Sequence, residues 1–348
     1  MRNYKDHLIP TGSKIRSALI KLNSLGSDAI LFVVDTTDTL IGSITDGDVR
    51  RALIEDYTTD DVVDKIIQDN PKFIEKDNYD IFKVIEYRKG KFRIIPIVDK
   101  NGRIVNVINF DYLKSYLPLD AILMAGGRGS RLSPMTDTIP KPLLKIGDKA
   151  IMEHNVDRLA LFGIDDFWFS INYLGEQIEE YFGTGENKNR CIEYVEEEKP
   201  LGTFGAIANI DSLRHEYVLI TNSDILTNMD YEDFFINFLK EKADMSIVSI
   251  PYEVDIPYAV LETQNNVIKD FKEKPTYTYY SNGGIYLVKK ELLVRIPRNT
   301  FYNATDLLDS LIKDGKKIIS YPISDYWLDI GKPADFEKAQ RDINQIKF

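Results

Sequence analysis

Leu123-Met124-Ala125-Gly126-Gly127-Arg128-Gly129-Ser130-Arg131-Leu132 runs from an apolar strand candidate into a turn with three glycines in four positions. Glycines at 126, 127 and 129 omit the Cβ atoms that would keep backbone N–H groups from closing around an anion, and a turn directly after a strand is where such a cradle forms. The spacing is neither Gly-x-Gly-x-x-Gly nor the Walker pattern ending in Gly-Lys-Ser/Thr, which argues against a dinucleotide fingerprint and a P-loop. Arg131 adds a planar fork suited to bidentate phosphate contact. Lys141, in Pro140-Lys141-Pro142, is held by a backbone stiffened on both sides.

Outward from this loop, the pattern alternates. Strands are predicted at 121–125, 167–171, 192–195, 217–221, 245–250, 285–288 and 317–321. Helices are predicted at 151–162, closed by Gly163, at 175–182, closed by Gly183, and at 231–242, with Asp230 as N-cap. Strands alternating with helices of this length predict an α/β domain with a mostly parallel sheet covered on both faces. Upstream, Pro118 stops a helical stretch just before the first of these strands, which sets the expected boundary: one domain over 1–117 and a second over 118–348.

The chain has 348 residues, enough for two domains with real cores. Its 55 acidic and 44 basic residues leave a net charge of −11, which argues against a nucleic-acid binder held by phosphate neutralisation. One cysteine, Cys191, excludes an internal disulfide framework, and three scattered histidines are too few for a zinc site. No apolar run reaches about 18 residues and the N-terminus lacks a signal-peptide core, so a cytoplasmic protein without a membrane partner is expected.

The first third repeats itself at an offset of 64 residues: Gly26 falls on Gly90, Ile30 on Ile94, Val34 on Val98, Asp35 on Asp99 and Leu53 on Leu117. Each copy reads as a helix, a strand ending in Val-Asp, a turn, a second strand and another helix, and the two copies are expected to share one core. The arrangement resembles a tandem pair of CBS modules, an α+β nucleotide-sensing domain, which implies an adenine nucleotide as ligand. In that family Gly-x-x-Thr-x-x-Asp grips a ribose. Gly42-Ser43-Ile44-Thr45-Asp46-Gly47-Asp48 matches it, which assigns Thr45 and Asp48 to a regulatory nucleotide. In the second copy Asn106, Asn109 and Tyr112 replace the glycine, threonine and aspartate. The alternative is that Asp46-Gly47-Asp48 only caps a helix beginning near Val49.

Two aspartates stand out by placement. Asp224 follows the strand at 217–221 and so sits at the carboxyl edge of the sheet, where open α/β folds bind ligands. Asp329 lies in Trp327-Leu328-Asp329-Ile330-Gly331. Transfer chemistry at phosphorus calls for a divalent cation, and Mg²⁺ takes one or two carboxylates together with phosphate oxygens and water.

The stretch from Gly126 to His154 resembles the signature of sugar-phosphate nucleotidyltransferases, with Ser130 and Ala150 as departures from the usual residues. The resemblance extends over about 119–340. It implies a Rossmann-like, GT-A-like domain that joins a nucleoside triphosphate to a sugar 1-phosphate. By resemblance, Gly126, Gly127 and Gly129 wrap the triphosphate, Arg131 and Lys141 neutralise phosphoryl groups, and Asp224 and Asp329 hold Mg²⁺. Gly202 and Thr203 belong to the loop around nucleoside and sugar, Asn172 lies near the base, Glu273 contacts sugar hydroxyls, Lys274 pairs with the sugar phosphate, and Asn282 reads the hexose.

The reaction expected is in-line attack of a sugar 1-phosphate oxygen on the α-phosphorus, releasing pyrophosphate. A CBS pair ahead of such a transferase resembles bacterial guanylyltransferases for surface-glycan sugars, so GTP is the expected triphosphate, with UTP or dTTP as alternatives; no residue by itself separates these bases. The rival from another class is a non-catalytic sugar-phosphate sensor. A homo-oligomer is the expected assembly.

Overall fold

The computed structural model describes residues 3–188 and 190–346. The chain divides into two compact units. One comprises the chain up to Pro118 together with Ala160–Asp165 and Gly185–Cys191, and the other comprises Leu119–Leu159, Asp166–Thr184 and the chain from Ile192 onward.

In the first unit β1 (Leu8–Pro10), α1 (Ile15–Leu25), β2 (Ile30–Val34), β3 (Leu40–Thr45), α2 (Asp46–Ile54) and β4 (Gln68–Asp69) form one half. The other half contains β5 (Ile74–Glu75), α3 (Ile81–Lys89), β6 (Ile94–Val98) and β7 (Ile104–Asn109). The sheet orders are β1-β2-β3-β4 and β5-β6-β7, each with a parallel first pair and an antiparallel second pair. The 64-residue repeat is visible atom by atom. Asp35 Oδ1 accepts from the N–H of Thr37 and Thr39, and Asp99 Oδ1 accepts from those of Asn101 and Arg103. The Leu40 N–H donates to Gly102 O at 2.9 Å and the Ile104 N–H to Asp38 O at 3.1 Å, a reciprocal pair related by the same offset. Phe32, Val34, Ile94, Val98 and Ile104 close one core from both copies.

Two expectations for this unit change. The first-copy helix begins at Asp46 rather than near Val49, because Thr45 is its N-cap and Asp48 its third residue. No second-copy helix follows β7 among the described residues. The Asn109 side chain accepts from the Asp111 N–H at 3.0 Å and turns the chain instead, a local bond that competes with helix formation.

The second unit is built on a seven-stranded sheet of β8 (Leu119–Met124), β11 (Asp166–Ile171), β12 (Cys191–Glu196), β13 (Tyr217–Asn222), β15 (Met245–Asp255), β18 (Thr276–Lys289) and β19 (Ile318–Pro322), once the short pair β9 (Lys145–Ile146) and β10 (Lys149–Ala150) and the pairs β14 (Ile225–Thr227) with β20 (Trp327–Asp329) and β16 (Val260–Gln264) with β17 (Val267–Lys272) are counted in chain order. Its order is β12-β11-β8-β13-β18-β15-β19. β8 pairs parallel with β11 and β13, and β15 with β19, while β18 runs antiparallel to both its neighbours. All seven strands of this sheet were legible in the sequence. The helices α4 (Ile151–Leu161), α5 (Gly175–Phe182), α6 (Tyr231–Lys240), α7 (Lys290–Leu293), α8 (Ala304–Lys313) and α9 (Pro333–Asp342) connect and cover it. Asp230 caps α6, accepting from the N–H groups of Glu232 and Asp233 at 2.9 and 3.1 Å.

The sequence reading missed β16 with β17, whose residues are almost wholly exposed and so lack the alternation of a half-buried strand. Among the described residues no helix is long and apolar enough to cross a membrane.

Candidate active site

Because β8, β11 and β13 are parallel, their carboxyl ends lie side by side, and the segments leaving them begin bonded together. The Ala125 N–H donates to Ser170 O at 2.8 Å, the Ser223 N–H to Met124 O at 3.2 Å, and the Glu197 N–H to Ile171 O at 2.9 Å. This edge is where a parallel sheet of this kind places its ligand. A cavity of about 350 Å³ opens there, lined among others by Gly126, Gly127, Gly202, Thr203, Glu197 and Asp224.

Glycine is required at two positions of the loops. Gly129 has φ 64°, and a Cβ on it would stand 2.9 Å from Lys141 Cβ, so the phosphate loop and Pro140-Lys141-Pro142 meet only without a side chain there. Gly202 has φ 79°, and its Cβ would come within 2.8 Å of both Tyr302 O and Asn303 Oδ1. The Thr203 N–H donates to Asn303 Oδ1 at 3.3 Å and its hydroxyl accepts from the Ala304 N–H at 2.8 Å, which ties this loop to the start of α8.

The two aspartates are 105 positions apart and are joined by the β14–β20 pair: Ile225 faces Asp329, and the Ile330 N–H donates to Asp224 O at 3.0 Å. From beneath, Asn155 of α4 donates to Ser223 O at 3.1 Å and steadies the turn that carries Asp224. Lys141 is buried and donates to Asp224 Oδ2. The second oxygen of each aspartate, Oδ1 of Asp224 and Oδ1 of Asp329, is buried and accepts no hydrogen bond. Burial, and then the neighbouring Asp224 charge, raise the Asp329 pKa above its ordinary value, with Lys141 and Arg131 opposing. The Arg131 guanidinium lies against Gly331, within 3.5 Å of where a Cβ on that residue would be, so it stands over the turn that carries Asp329.

Buried, unpartnered carboxylate oxygens are costly, and a pair of such carboxylates whose charges act on each other fits a hard divalent cation that also takes phosphate oxygens and water. Among the described residues no group of three or more His, Cys, Asp or Glu is placed to hold a metal, so a cation here would depend on ligands from substrate and solvent.

A family model described as Nucleotidyl transferase matches residues 120–346. The chain belongs to this family. It is similar to the mannose-1-phosphate guanylyltransferase of Mycobacterium tuberculosis, 30% identical over 65% of this chain and 64% of that one. It is also similar to the D-glycero-alpha-D-manno-heptose 1-phosphate guanylyltransferase of Aneurinibacillus thermoaerophilus, 31% identical over 65% of this chain and 98% of that one. Among solved structures, HddC from Yersinia pseudotuberculosis complexed with GMP-PN is 26% identical with a TM-score of 0.50, covering 65% of this chain and 99% of that one. This chain spans 64% and 62% of the lengths of the mannose-1-phosphate enzymes of M. tuberculosis and Schizosaccharomyces pombe.

The expected site residues fall into groups. Gly126, Gly127, Gly202, Thr203 and Asp224 line the cavity, and Gly129, Lys141, Arg131 and Asp329 stand directly behind or beside it. Asn172 braces the wall, its amide donating to Glu197 O. Glu273 and Lys274 do not reach the cavity: they are exposed just after β17. Asn282 is also exposed, donating to the Tyr286 hydroxyl at 2.9 Å and accepting from the Gly284 N–H at 2.9 Å.

In the other unit Thr45 and Asp48 bond each other in a capping box, and Asp48 also accepts from Arg51 and from Gln68 at 2.9 Å, so both are engaged within the protein. Sequence reasoning missed Glu197, Asn222, Phe301 and Asn303 as cavity residues. Glu197 lies within the acidic run Glu196-Glu197-Glu198, which reads as a solvated stretch, and Asn303 reads only as a helix cap.

Proposed function

We propose that the chain joins a nucleoside triphosphate to a sugar 1-phosphate, giving a nucleotide sugar and pyrophosphate. The observation that carries this reading is the meeting of the glycine loop, Lys141, Asp224 and Asp329 at one edge of the sheet. A sugar-phosphate oxygen forms the new bond to the α-phosphorus while the bond from that phosphorus to the bridging oxygen breaks, and the leaving pyrophosphate takes the electron pair. The attacking phosphate is already an anion near pH 7, so no strong base is required, and rate comes from positioning and charge neutralisation.

The backbone N–H groups of Gly126, Gly127 and Gly129 bind phosphate oxygens, and Arg131 and Lys141 balance charge on them. Asp224 and Asp329 would hold Mg²⁺, which when bound neutralises phosphoryl charge. Gly202 and Thr203 shape the nucleoside side of the pocket with Asn172; for Glu273, Lys274 and Asn282 to serve the sugar and its phosphate, they must approach the cavity outside which they now stand.

GTP is favoured as the triphosphate because the mannose-1-phosphate and heptose 1-phosphate relatives bear guanylyltransferase names and the HddC structure holds GMP-PN. The sugar is of the mannose, glucosamine or heptose type. The test is pyrophosphate release from GTP, UTP and dTTP with a panel of hexose and heptose 1-phosphates and Mg²⁺. No release with any pair overturns the reading.

The repeat unit is proposed as a CBS-type pair that senses an adenine nucleotide at Thr45 and Asp48, a reading supported by the Gly42-to-Asp48 pattern and the symmetric turns. It requires those side chains to exchange their present bonds for a ribose. Adenylates that move neither the melting temperature nor the rate overturn it. The protein is further proposed to act in the cytoplasm as a homo-oligomer.

A further inference from the structure

We infer that Asn155 is a positioning residue for the transfer: from α4 it fixes the turn that carries Asp224, and so sets where that carboxylate meets Lys141 and a divalent cation. This deepens the nucleotidyl-transfer reading and rests on it. Asn155 lies in the middle of α4 and is only 6% exposed. Its amide donates to Ser223 O at 3.1 Å, and the next residue along the chain is Asp224. Ser223 is itself buried, so bulk water cannot replace that donor. A buried carbonyl without a donor is unfavourable enough to shift the backbone that bears it.

The same helix grips the far end of the segment. Arg158, three residues on and therefore on the same face, is buried and donates to Met229 O at 2.7 Å and to Asn228 O. Asp224 and β14 run between these two anchors, and the Asp224 carbonyl accepts from the Ile330 N–H. The stretch from Ser223 to Met229 is thus held at both ends by one helix and in its middle by the strand that brings Asp329.

Lys141 is tied to α4 as well. The Ile151 N–H, at the start of the helix, donates to Leu144 O at 2.9 Å, and the Leu144 N–H donates to Lys141 O at 3.1 Å. His154 Nε2 lies 2.8 Å from Ile146 O, which fastens β9 to the helix. Lys141 and Asp224 are 83 positions apart, and α4 is the common mount of the segments that carry them. Asn155 does not line the cavity, so it reaches the chemistry only through the turn. Displacement of a reacting group by about 1 Å can cost on the order of 100-fold in rate.

Asn155→Leu keeps most of the side-chain volume and removes the donor. The test compares wild type, N155L, D224N and the double variant by pyrophosphate release, by melting temperature, and by equilibrium binding of the triphosphate, with Mg²⁺ and with EDTA. The triphosphate is GTP, UTP or dTTP, whichever the wild type turns over fastest. In N155L, kcat is expected to fall about 10- to 100-fold with KM for the sugar 1-phosphate within about 3-fold. The gain in nucleotide affinity from Mg²⁺ is expected to shrink at least about 5-fold, while affinity in EDTA changes less than about 2-fold. In the D224N background the same substitution is expected to cost less than about 3-fold, because the charge it places is already absent.

If Asn155 merely supports the fold, N155L lowers the melting temperature, cuts turnover by one factor in both backgrounds and weakens binding alike with Mg²⁺ and EDTA, which overturns the proposal. An N155L protein with kcat near that of wild type overturns it too and leaves nucleotidyl transfer standing. Should N155L not fold, Asn155→Ala, smaller and equally without a donor, carries the same expectations. A wild type that releases pyrophosphate with none of the three triphosphates overturns the transfer reading itself.

Discussion

Lys141 takes one oxygen of Asp224, while the other is buried and accepts no hydrogen bond, as is true of Oδ1 of Asp329. Replacing Asp224 with Asn keeps the shape and removes the charge. Pyrophosphate release by D224N is expected to fall about a thousandfold, on the order of 4 kcal/mol of transition-state stabilisation, with the melting temperature held or raised. A D224N protein with near-normal turnover removes that residue from the mechanism. Gly129 tests the loop behind it. Alanine there must adopt φ 64° and place its methyl 2.9 Å from Lys141 Cβ. The left-handed conformation alone costs about 1–2 kcal/mol, and displacement of Lys141 is expected to cut turnover at least tenfold, read from a denaturation midpoint and a steady-state rate on the same preparation. The sequence named both residues because glycine clusters and strand-end aspartates are local signals. Glu197 carries no local signal: nothing distinguishes it from Glu196 and Glu198 until β12 ends beside β11.

Among the elements, α6 is fastened by its cap and the sheet by a charged cluster at the edge opposite the cavity. Asp230→Ala removes two bonds to the first turn of α6 and is expected to lower stability by about 1 kcal/mol with turnover unchanged. At the start of β11, Asp166 accepts from Arg214 at 2.7 Å and lies 2.9 Å from His215 Nε2, while buried Asp120 accepts from the His215 N–H at 2.8 Å. Burial pushes the Asp166 pKa up, but His215 and Arg214 together outweigh it and hold the carboxyl below its ordinary value. A depressed folded pKa means the ionised group contributes stability above about pH 4, where the unfolded chain's aspartate is ionised, and loses that contribution as pH falls through the lower folded value. Asp166→Asn is therefore expected to cost about 1–3 kcal/mol near neutral pH, the difference from wild type shrinking below about pH 4. A pH-independent difference in chemical denaturation counts against the ionised pair. The strands of the main sheet were legible because buried strands are apolar runs bounded by turns. The exposed β16–β17 hairpin shows neither an apolar run nor alternation, and the missing second-copy helix turned on one Asn109 bond.

On the scale of the molecule, a net charge of −11 surrounds a site proposed to take a highly anionic ligand, for which local cations and amides have to outweigh the global field. Magnesium–GTP at about 100 times its Kd is expected to stabilise the second unit by about 2.7 kcal/mol, visible as a rise in melting temperature that D224N sharply reduces. No rise at saturating nucleotide speaks against the site. The 64-residue repeat, the α/β order of the second unit and the residues of the glycine loop were determined by the sequence itself, because periodicity, turn chemistry and glycine clusters act over a few neighbouring residues. Only the tertiary structure decided that Asp224 and Asp329 meet across the β14–β20 pair, that Arg131 lies over the Asp329 turn, that Thr45 and Asp48 bond each other, and that Glu197 faces the cavity while Glu273 and Lys274 stand outside it. Strand pairing brings together residues more than a hundred positions apart, and which side chain then loses its water is set by that pairing rather than by any residue's neighbours in the chain.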